Sequence, residues 1–165
     1  MKQLMTNRAE SGIMTDDFAT NAVERFQAGA SCAQAVLAAC GPAYGLSEEA
    51  AMKLGSAMGA GLAGLRETCG AVSAMVAIMG LHHGDTAPMD AKTKAAHYER
   101  VRAAIADFDA TFGTHNCKAL LQKASIEKQA GVAPEARTAT YYAQRPCAAF
   151  VRFCAARAMA DDTQH

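Results

Sequence analysis

Six cysteines are the residues of this sequence whose chemistry and placement point most directly to a function. Four of them directly follow a residue type that commonly opens a helix: Cys32 after Ser31, Cys69 after Thr68, Cys117 after Asn116 and Cys147 after Pro146. The first turn of a helix carries unpaired N–H groups and a partial positive charge, and a thiol placed there ionises more easily. These four cysteines are the candidate catalytic residues, and we expect Cys69 to have the lowest pKa.

The same four cysteines are candidate metal ligands, because thiolates bind zinc and iron–sulfur clusters. The sequence contains no C-x-x-C pair, so neither a thioredoxin-like site nor a zinc ribbon is encoded. Cysteine runs typical of ferredoxins and the haem signature C-x-x-C-H are absent as well. A shared site therefore has to be assembled by the fold, with one cysteine from each of four helices. The other two cysteines, Cys40 and Cys154, lie on apolar helix stripes and are expected in the core.

The elements that position these cysteines are predicted to be helices. Alanine, the best helix former, is by far the most frequent residue, Trp is absent, and Val and Ile are scarce, which leaves little material for a sheet. We predict an all-α, single-domain bundle of about six to seven helices over residues 15–160, with residues 1–14 as a loose N-terminal tail. Residues 69–81 are apolar on every side and are expected to form its central buried helix.

Local signals place the other helices. Thr15 is expected to cap the first helix, and a long amphipathic helix is expected from about Asp90 to Phe112, where Gly113 follows. Residues 122–146 are polar and are expected to form a linker with one short helix.

Charge and hydropathy exclude several classes of protein. The chain carries 16 Lys+Arg and 16 Asp+Glu, so its formal net charge is zero, without the basic excess of a nucleic-acid-binding protein. No apolar run is long enough for a transmembrane helix, and the N-terminal residues lack the apolar core of a secretory signal. We therefore expect a cytoplasmic protein that is not integral to a membrane, in a compartment where thiols are kept reduced.

Four segments resemble the four-cysteine family of redox-active proteins that is named for a CGAxxG motif. They are GASCAQAVL at 29–37, MGAGLAGLRETCGAVSA at 58–74, FGTHNCKALL at 112–121 and PCAAFV at 146–151. The resemblance covers about residues 18–158 and implies a small helical bacterial or archaeal protein whose family cysteines are Cys32, Cys69, Cys117 and Cys147. Ala74 stands where the motif closes with glycine. Members are often encoded near transporter genes, which implies association with a transporter system, and a related module occurs in a multihaem cytochrome.

Three functions agree with these residues. The first is thiol/disulfide electron transfer by a thiol-dependent oxidoreductase, with a redox partner protein or a small electron carrier as its partner. The second is a metal-binding or iron–sulfur protein with the same four cysteines as ligands. The third is a non-catalytic helical interaction module with inert cysteines. The first two require the four sulfur atoms to lie together, whereas the third does not.

Histidines supply the remaining candidates. His82 and His83 follow the predicted buried helix, where a surface position explains them and metal ligation or proton transfer is the alternative. His115 lies two residues before Cys117, and a protonated imidazole beside that thiol would lower its pKa.

Overall fold

The described residues of the computed structural model are 11–160, and they form eight α-helices. The helices are α1 (Ser11–Gln27), α2 (Cys32–Cys40), α3 (Glu48–Gly55), α4 (Gly70–His83), α5 (Ala91–Phe112), α6 (Cys117–Lys123), α7 (Ala139–Gln144) and α8 (Cys147–Met159). Short 3-10 helices occupy Gly41–Tyr44 and Ser56–Met58. No strand forms within these residues, so the all-α prediction is confirmed, with one or two more helices than the sequence predicts.

The first helix begins earlier than expected. Residues 1–10 of the predicted tail lie outside the described residues, but residues 11–14 already belong to α1, so Thr15 lies inside this helix and does not cap it. The long helix α5 is confirmed almost residue for residue. The Asp90 side chain accepts a hydrogen bond from the Thr93 N–H at its start, and Gly113 ends it with a left-handed φ of 89°. The 122–146 stretch contains the one short helix expected there, α7.

The core is built around α2 and α4. Helix α4 packs against α2 and α8 and buries seven of its residues, so the expected burial of the 69–81 region is confirmed. Helix α2 is buried more completely, since seven of its nine residues are inaccessible and it packs against α1, α3, α4 and α8. Four of those seven residues are alanines, and their short side chains allow four helices to approach one short segment closely.

Aromatic packing fixes α8, the helix that begins at Cys147. Four rings from α5 and α8 form a cluster in which ring centroids lie 4.7–5.7 Å apart, mostly edge to face: Phe108, Phe112, Phe150 and Phe153. Aromatic pairs with this geometry contribute about 0.5–1.5 kcal/mol each beyond the area that they bury. The start of α8 is therefore held at a defined position against the rest of the bundle.

Between residues 11 and 160, no helix combines the length and apolar character needed to cross a bilayer.

Candidate functional site

The fold brings the four helix-start cysteines to a single cavity. Cys32, Cys69, Cys117 and Cys147 all line it, together with Gly61 and Phe150 among others. Its volume is about 20 Å³, which is room for about one water molecule. All six cysteines of the chain are free thiols. The cysteines that begin α2, α6 and α8 and the cysteine that precedes α4 therefore lie around one cavity, as a shared site requires.

Three of these cysteines occupy the predicted first helical position. Cys32 begins α2 after a capping box, in which the Ser31 side chain accepts from the Gln34 N–H while the Gln34 side chain accepts from the Ser31 N–H. Cys117 begins α6 after Asn116, whose side chain accepts from the Ala119 N–H. In both cases the cap accounts for the start of the helix at the cysteine.

Cys69 is placed differently from the prediction, because it is itself the N-cap of α4 and Thr68 is not. Thr68 is instead engaged in an isolated antiparallel bridge with Asn116. Around this bridge the Cys69 N–H donates to the His115 carbonyl at 2.8 Å, and the Cys117 N–H donates to the Glu67 carbonyl at 2.6 Å. The backbone therefore ties Cys69 and Cys117 together across two segments far apart in sequence.

The Cys147 thiol is the acidic one. Its pKa is lowered to about 7, chiefly because the Cys32 thiol donates a hydrogen bond to the Cys147 sulfur, and further because the Arg145 and Arg137 guanidinium groups are close. Hydrogen bonds and cations favour the thiolate. Burial acts in the opposite direction. Cys147 is therefore the most readily ionised of the cavity thiols, although its residue is only 9% exposed.

The expectation that Cys69 has the lowest pKa is wrong. Burial raises the pKa of Cys69 to about 12, even though its sulfur accepts hydrogen bonds from the Val72 and Ala71 N–H groups. The helix start does supply the predicted stabilisation of the thiolate, but loss of water outweighs it. The pKa of Cys32 is also raised well above its usual value, because its thiol is the donor to Cys147 and because it is buried.

The cation beside Cys117 is Arg66 rather than His115. Burial raises the pKa of Cys117, while a hydrogen bond from Arg66 partly offsets that effect. The His115 ring nitrogen Nδ1 lies 2.9 Å from a carboxylate oxygen of Asp109 instead. Neither Arg66 nor Arg145 was among the predicted site residues. The sequence offers one signal for the position of Arg145, which directly precedes Pro146: a proline favours extended backbone at the residue before it. The φ and ψ of Arg145, −101° and 134°, are extended.

An unusual loop covers the cavity from the side of Gly61. Five consecutive residues, 60–64, have positive φ angles between 49° and 79°. A left-handed conformation costs about 1–2 kcal/mol for a residue other than glycine. The loop is held by hydrogen bonds from the Arg66 N–H to the Ala60 carbonyl and from the Glu67 N–H to the Gly61 carbonyl, both 3.1 Å. Backbone strain of this kind is typical of functional sites.

We predict that Gly61→Ala destabilises the protein by about 3 kcal/mol, because a left-handed φ and a steric overlap act together. A Cβ atom at Gly61, whose φ is +70°, would lie 2.7 Å from the Cys117 Cβ and 2.8 Å from the Arg66 Cα. Denaturant unfolding measures the loss. Gly64→Ala is the matched control, since its φ is +79° but nothing lies within 4 Å, and it should cost about 1 kcal/mol. Equal losses in the two variants would contradict the close approach of the loop to Cys117.

Cys40 and Cys154 lie in the core, as predicted, and do not line the cavity. Burial raises the pKa of Cys40 to about 12 and that of Cys154 well above its usual value. A raised thiol pKa destabilises the folded state once the pH exceeds the pKa of the unfolded chain, because only the unfolded chain then releases the proton.

We therefore predict that Cys40→Ala reduces the alkaline loss of stability. Between pH 8 and pH 10 the free energy of unfolding of this variant should fall by about 1.9 kcal/mol less than that of the parent protein. Urea unfolding at each pH measures the difference. Val36→Ala, also buried in α2 but without a titratable group, should lose stability with pH as the parent protein does. An unchanged pH dependence in Cys40→Ala would contradict a neutral, buried thiol.

The histidine pair lies away from the thiols, at the opposite end of α4. The Tyr44 hydroxyl lies 3.3 Å from His82 Nδ1, and the His82 ring stacks on Tyr44 and on His83. The part of the chain that the structure describes contains no group of three or more His, Cys, Asp or Glu residues arranged to hold a metal ion. The thiols therefore lie together around the cavity without forming a ready coordination shell.

Comparison with curated proteins and with solved structures gives no match. Residues 30–160, which include Cys32, Cys69, Cys117 and Cys147, match the family model described as "Putative redox-active protein (C_GCAxxG_C_C)", so the resemblance to this family is confirmed. The printed motif places glycine before cysteine, whereas this chain reads CGAVSA at 69–74. The match covers most of the sequence, and the chain therefore belongs to this redox-active C_GCAxxG_C_C family.

Proposed function

We propose that this protein is a thiol–disulfide oxidoreductase in which Cys147 is the attacking thiolate and Cys32 is the resolving thiol. The observation that carries the proposal is that Cys32 and Cys147 line one cavity, where Cys32 and the nearby Arg145 and Arg137 guanidinium groups lower the pKa of Cys147. A nucleophilic thiol works best with a pKa near the ambient pH. The family description, redox-active, agrees with this chemistry, and so does a cytoplasmic setting in which thiols are kept reduced.

The reaction is a two-step exchange with a disulfide as the oxidant. The Cys147 thiolate attacks one sulfur of R–S–S–R, a bond forms between them, and R–S⁻ leaves and takes a proton from solvent. Cys32 then loses its proton, and its sulfur attacks the Cys147 sulfur and releases the second R–S⁻. Two electrons pass from the Cys32–Cys147 pair to the disulfide, giving one intramolecular disulfide and two R–SH molecules. The reverse sequence oxidises thiols.

Neighbouring groups assist this exchange. The guanidinium groups of Arg145 and Arg137 stabilise negative charge at Cys147, including the charge that develops on the leaving sulfur. Cys69 and Cys117 complete the sulfur lining of the cavity, and burial raises the pKa of both. They are therefore protonated at neutral pH, and Cys147 is the sulfur that begins the reaction.

The second candidate function is metal or iron–sulfur binding by the same four cysteines, and the shared cavity is the observation that favours it. Four thiolates are a common ligand set for zinc or a cluster. The cavity volume of about 20 Å³ matches a single ion better than a cluster of several irons. Anaerobic purification followed by absorption spectroscopy and metal analysis separates the candidates. A colourless, metal-free protein with reactive thiols supports the exchange reaction, and a stoichiometric metal supports the alternative.

We predict that Cys32→Ser accumulates a mixed disulfide at Cys147, because the resolving sulfur is missing. Treatment with a small disulfide and mass mapping should show one half of the reagent attached to Cys147, whereas the parent protein should carry none. Cys154→Ala, a core substitution outside the cavity, should behave like the parent protein. A mixed disulfide at another cysteine, or none at all, would refute the assigned roles.

A further inference from the structure

We propose that the surface pocket formed by α7 and the segment before it binds the carboxylate end of a small anionic disulfide, which is the substrate attacked by Cys147. This inference rests on the proposed exchange function and adds the chemical class of the substrate. The sulfur-lined cavity itself has a volume of about 20 Å³ and holds little more than a water molecule. The rest of the substrate must therefore be bound outside that cavity.

A pocket of suitable size lies on the Arg145 side of the site. Its volume is about 340 Å³, and its lining includes Arg145, Lys128, Glu135 and Tyr141. Small-molecule sites in proteins begin at about this volume. Since a water molecule takes up about 30 Å³ of liquid, the pocket accommodates a compound of roughly a dozen heavy atoms. That size corresponds to a small disulfide.

The cations of the pocket already bind a carboxylate. One Glu135 oxygen accepts a hydrogen bond from Lys128, and the other accepts from Arg145. The Arg145 side chain is only 6% exposed, whereas the Glu135 side chain is 42% exposed and belongs to the non-helical segment between α6 and α7. Two positive groups thus share one negative group. The remaining positive charge favours an anionic ligand, which binds either beside the Glu135 carboxylate or in its place.

Arg145 joins this pocket to the reactive sulfur. Its guanidinium hydrogen-bonds to Glu135, it lies two residues before Cys147 in the sequence and its charge lowers the pKa of that thiol, and its central carbon lies 4.3 Å from the centroid of the Tyr141 ring, which also lines the pocket. A carboxylate held by Arg145 and Lys128 therefore places the attached disulfide beside Cys147. The same guanidinium is positioned to stabilise the thiolate that leaves.

Three disulfides of similar length and different charge test the substrate class: dithiodipropionate is a dianion, bis(hydroxyethyl) disulfide is neutral, and cystamine is a dication. We expect the second-order rate constant for oxidation of the protein to be highest for dithiodipropionate and lowest for cystamine. In Lys128→Gln the ratio of the rate constant for the anionic probe to that for the neutral probe should fall about tenfold. Lys53→Gln is the matched control, because Lys53 also pairs with a glutamate but lies on α3, and its ratio should equal that of the parent protein.

Binding of suberate, the all-carbon isostere of dithiodipropionate, tests the pocket without any exchange reaction. Calorimetry should show binding to the parent protein and to Lys53→Gln, and at least tenfold weaker binding to Lys128→Gln. Absence of suberate binding, or equal binding by all three proteins, overturns the pocket assignment even if the neutral disulfide reacts. Suberate binding without oxidation by any disulfide supports an anion site here and refutes the exchange function, so the two failures are distinguishable.

Discussion

Replacing Cys147 by serine should remove the only thiol that ionises near neutral pH. The pKa of Cys147 is lowered to about 7, whereas the pKa values of the other five cysteines are raised, that of Cys32 chiefly by its hydrogen bond to Cys147 and those of the others chiefly by burial. Each thiol with a pKa of 9 or more is at most about 1% ionised at pH 7, so the thiolate content should fall at least about tenfold. Ultraviolet thiolate absorbance as a function of pH measures this directly and does not require a reagent to reach the buried sulfur.

The neighbours of Cys147 give this prediction its internal controls. Cys32→Ala and Arg145→Gln should both move the titration near pH 7 upwards, since each removes a group that lowers the pKa of Cys147. Cys69→Ser should leave the titration near pH 7 in place, because burial holds the pKa of the Cys69 thiol at about 12. Persistence of the full acidic titration in Cys147→Ser would show that another cysteine is the acidic one.

Oxidation of the Cys32–Cys147 pair should stabilise the protein by about 4–5 kcal/mol. The disulfide closes a loop of more than 100 residues between α2 and α8, and a loop of this length removes about 4.7 kcal/mol of conformational entropy from the unfolded chain. Denaturant unfolding of the reduced and the oxidised protein measures the difference. Strain in the new bond would reduce the gain, because the reduced pair is arranged for a hydrogen bond and not for a covalent one.

The Cys147→Ser variant is the control for this stabilisation. Exposed to the same oxidant, it should unfold at the same denaturant concentration as its reduced form. An equal gain in this variant would assign the stabilising bond to another pair of cysteines, such as Cys69 and Cys117.

Local sequence signals predicted most of the scaffold. Ser31, Asp90 and Asn116 each cap the helix that was expected to follow, because an N-cap depends only on residues within one turn. Helix α7 and the early start of α1 carry weaker local signals. The greater burial of α2 over α4 depends on how many helices surround each one, which no local pattern encodes.

The site was predicted in its membership and not in its electrostatics. Helix starts identified the four cysteines, but a helix start contributes only one part of a thiol pKa. The other parts are loss of water, which dominates at Cys69, and contacts from distant segments, such as the Cys32 hydrogen bond to Cys147. Arg66 reaches Cys117 through the tertiary fold, and its role is therefore invisible in a single sequence, whereas Arg145 directly precedes the Pro146–Cys147 helix start and could have been identified there.

Mapping the first disulfide that forms is the most direct test of the central claim, that Cys147 and Cys32 are the redox pair. The fully reduced protein is oxidised with one equivalent of bis(hydroxyethyl) disulfide, the remaining thiols are alkylated, and the peptides are identified by mass spectrometry. We predict a Cys32–Cys147 disulfide and alkylated Cys40, Cys69, Cys117 and Cys154. A first disulfide that excludes Cys147, or six alkylated cysteines after complete exposure to the oxidant, would contradict the account.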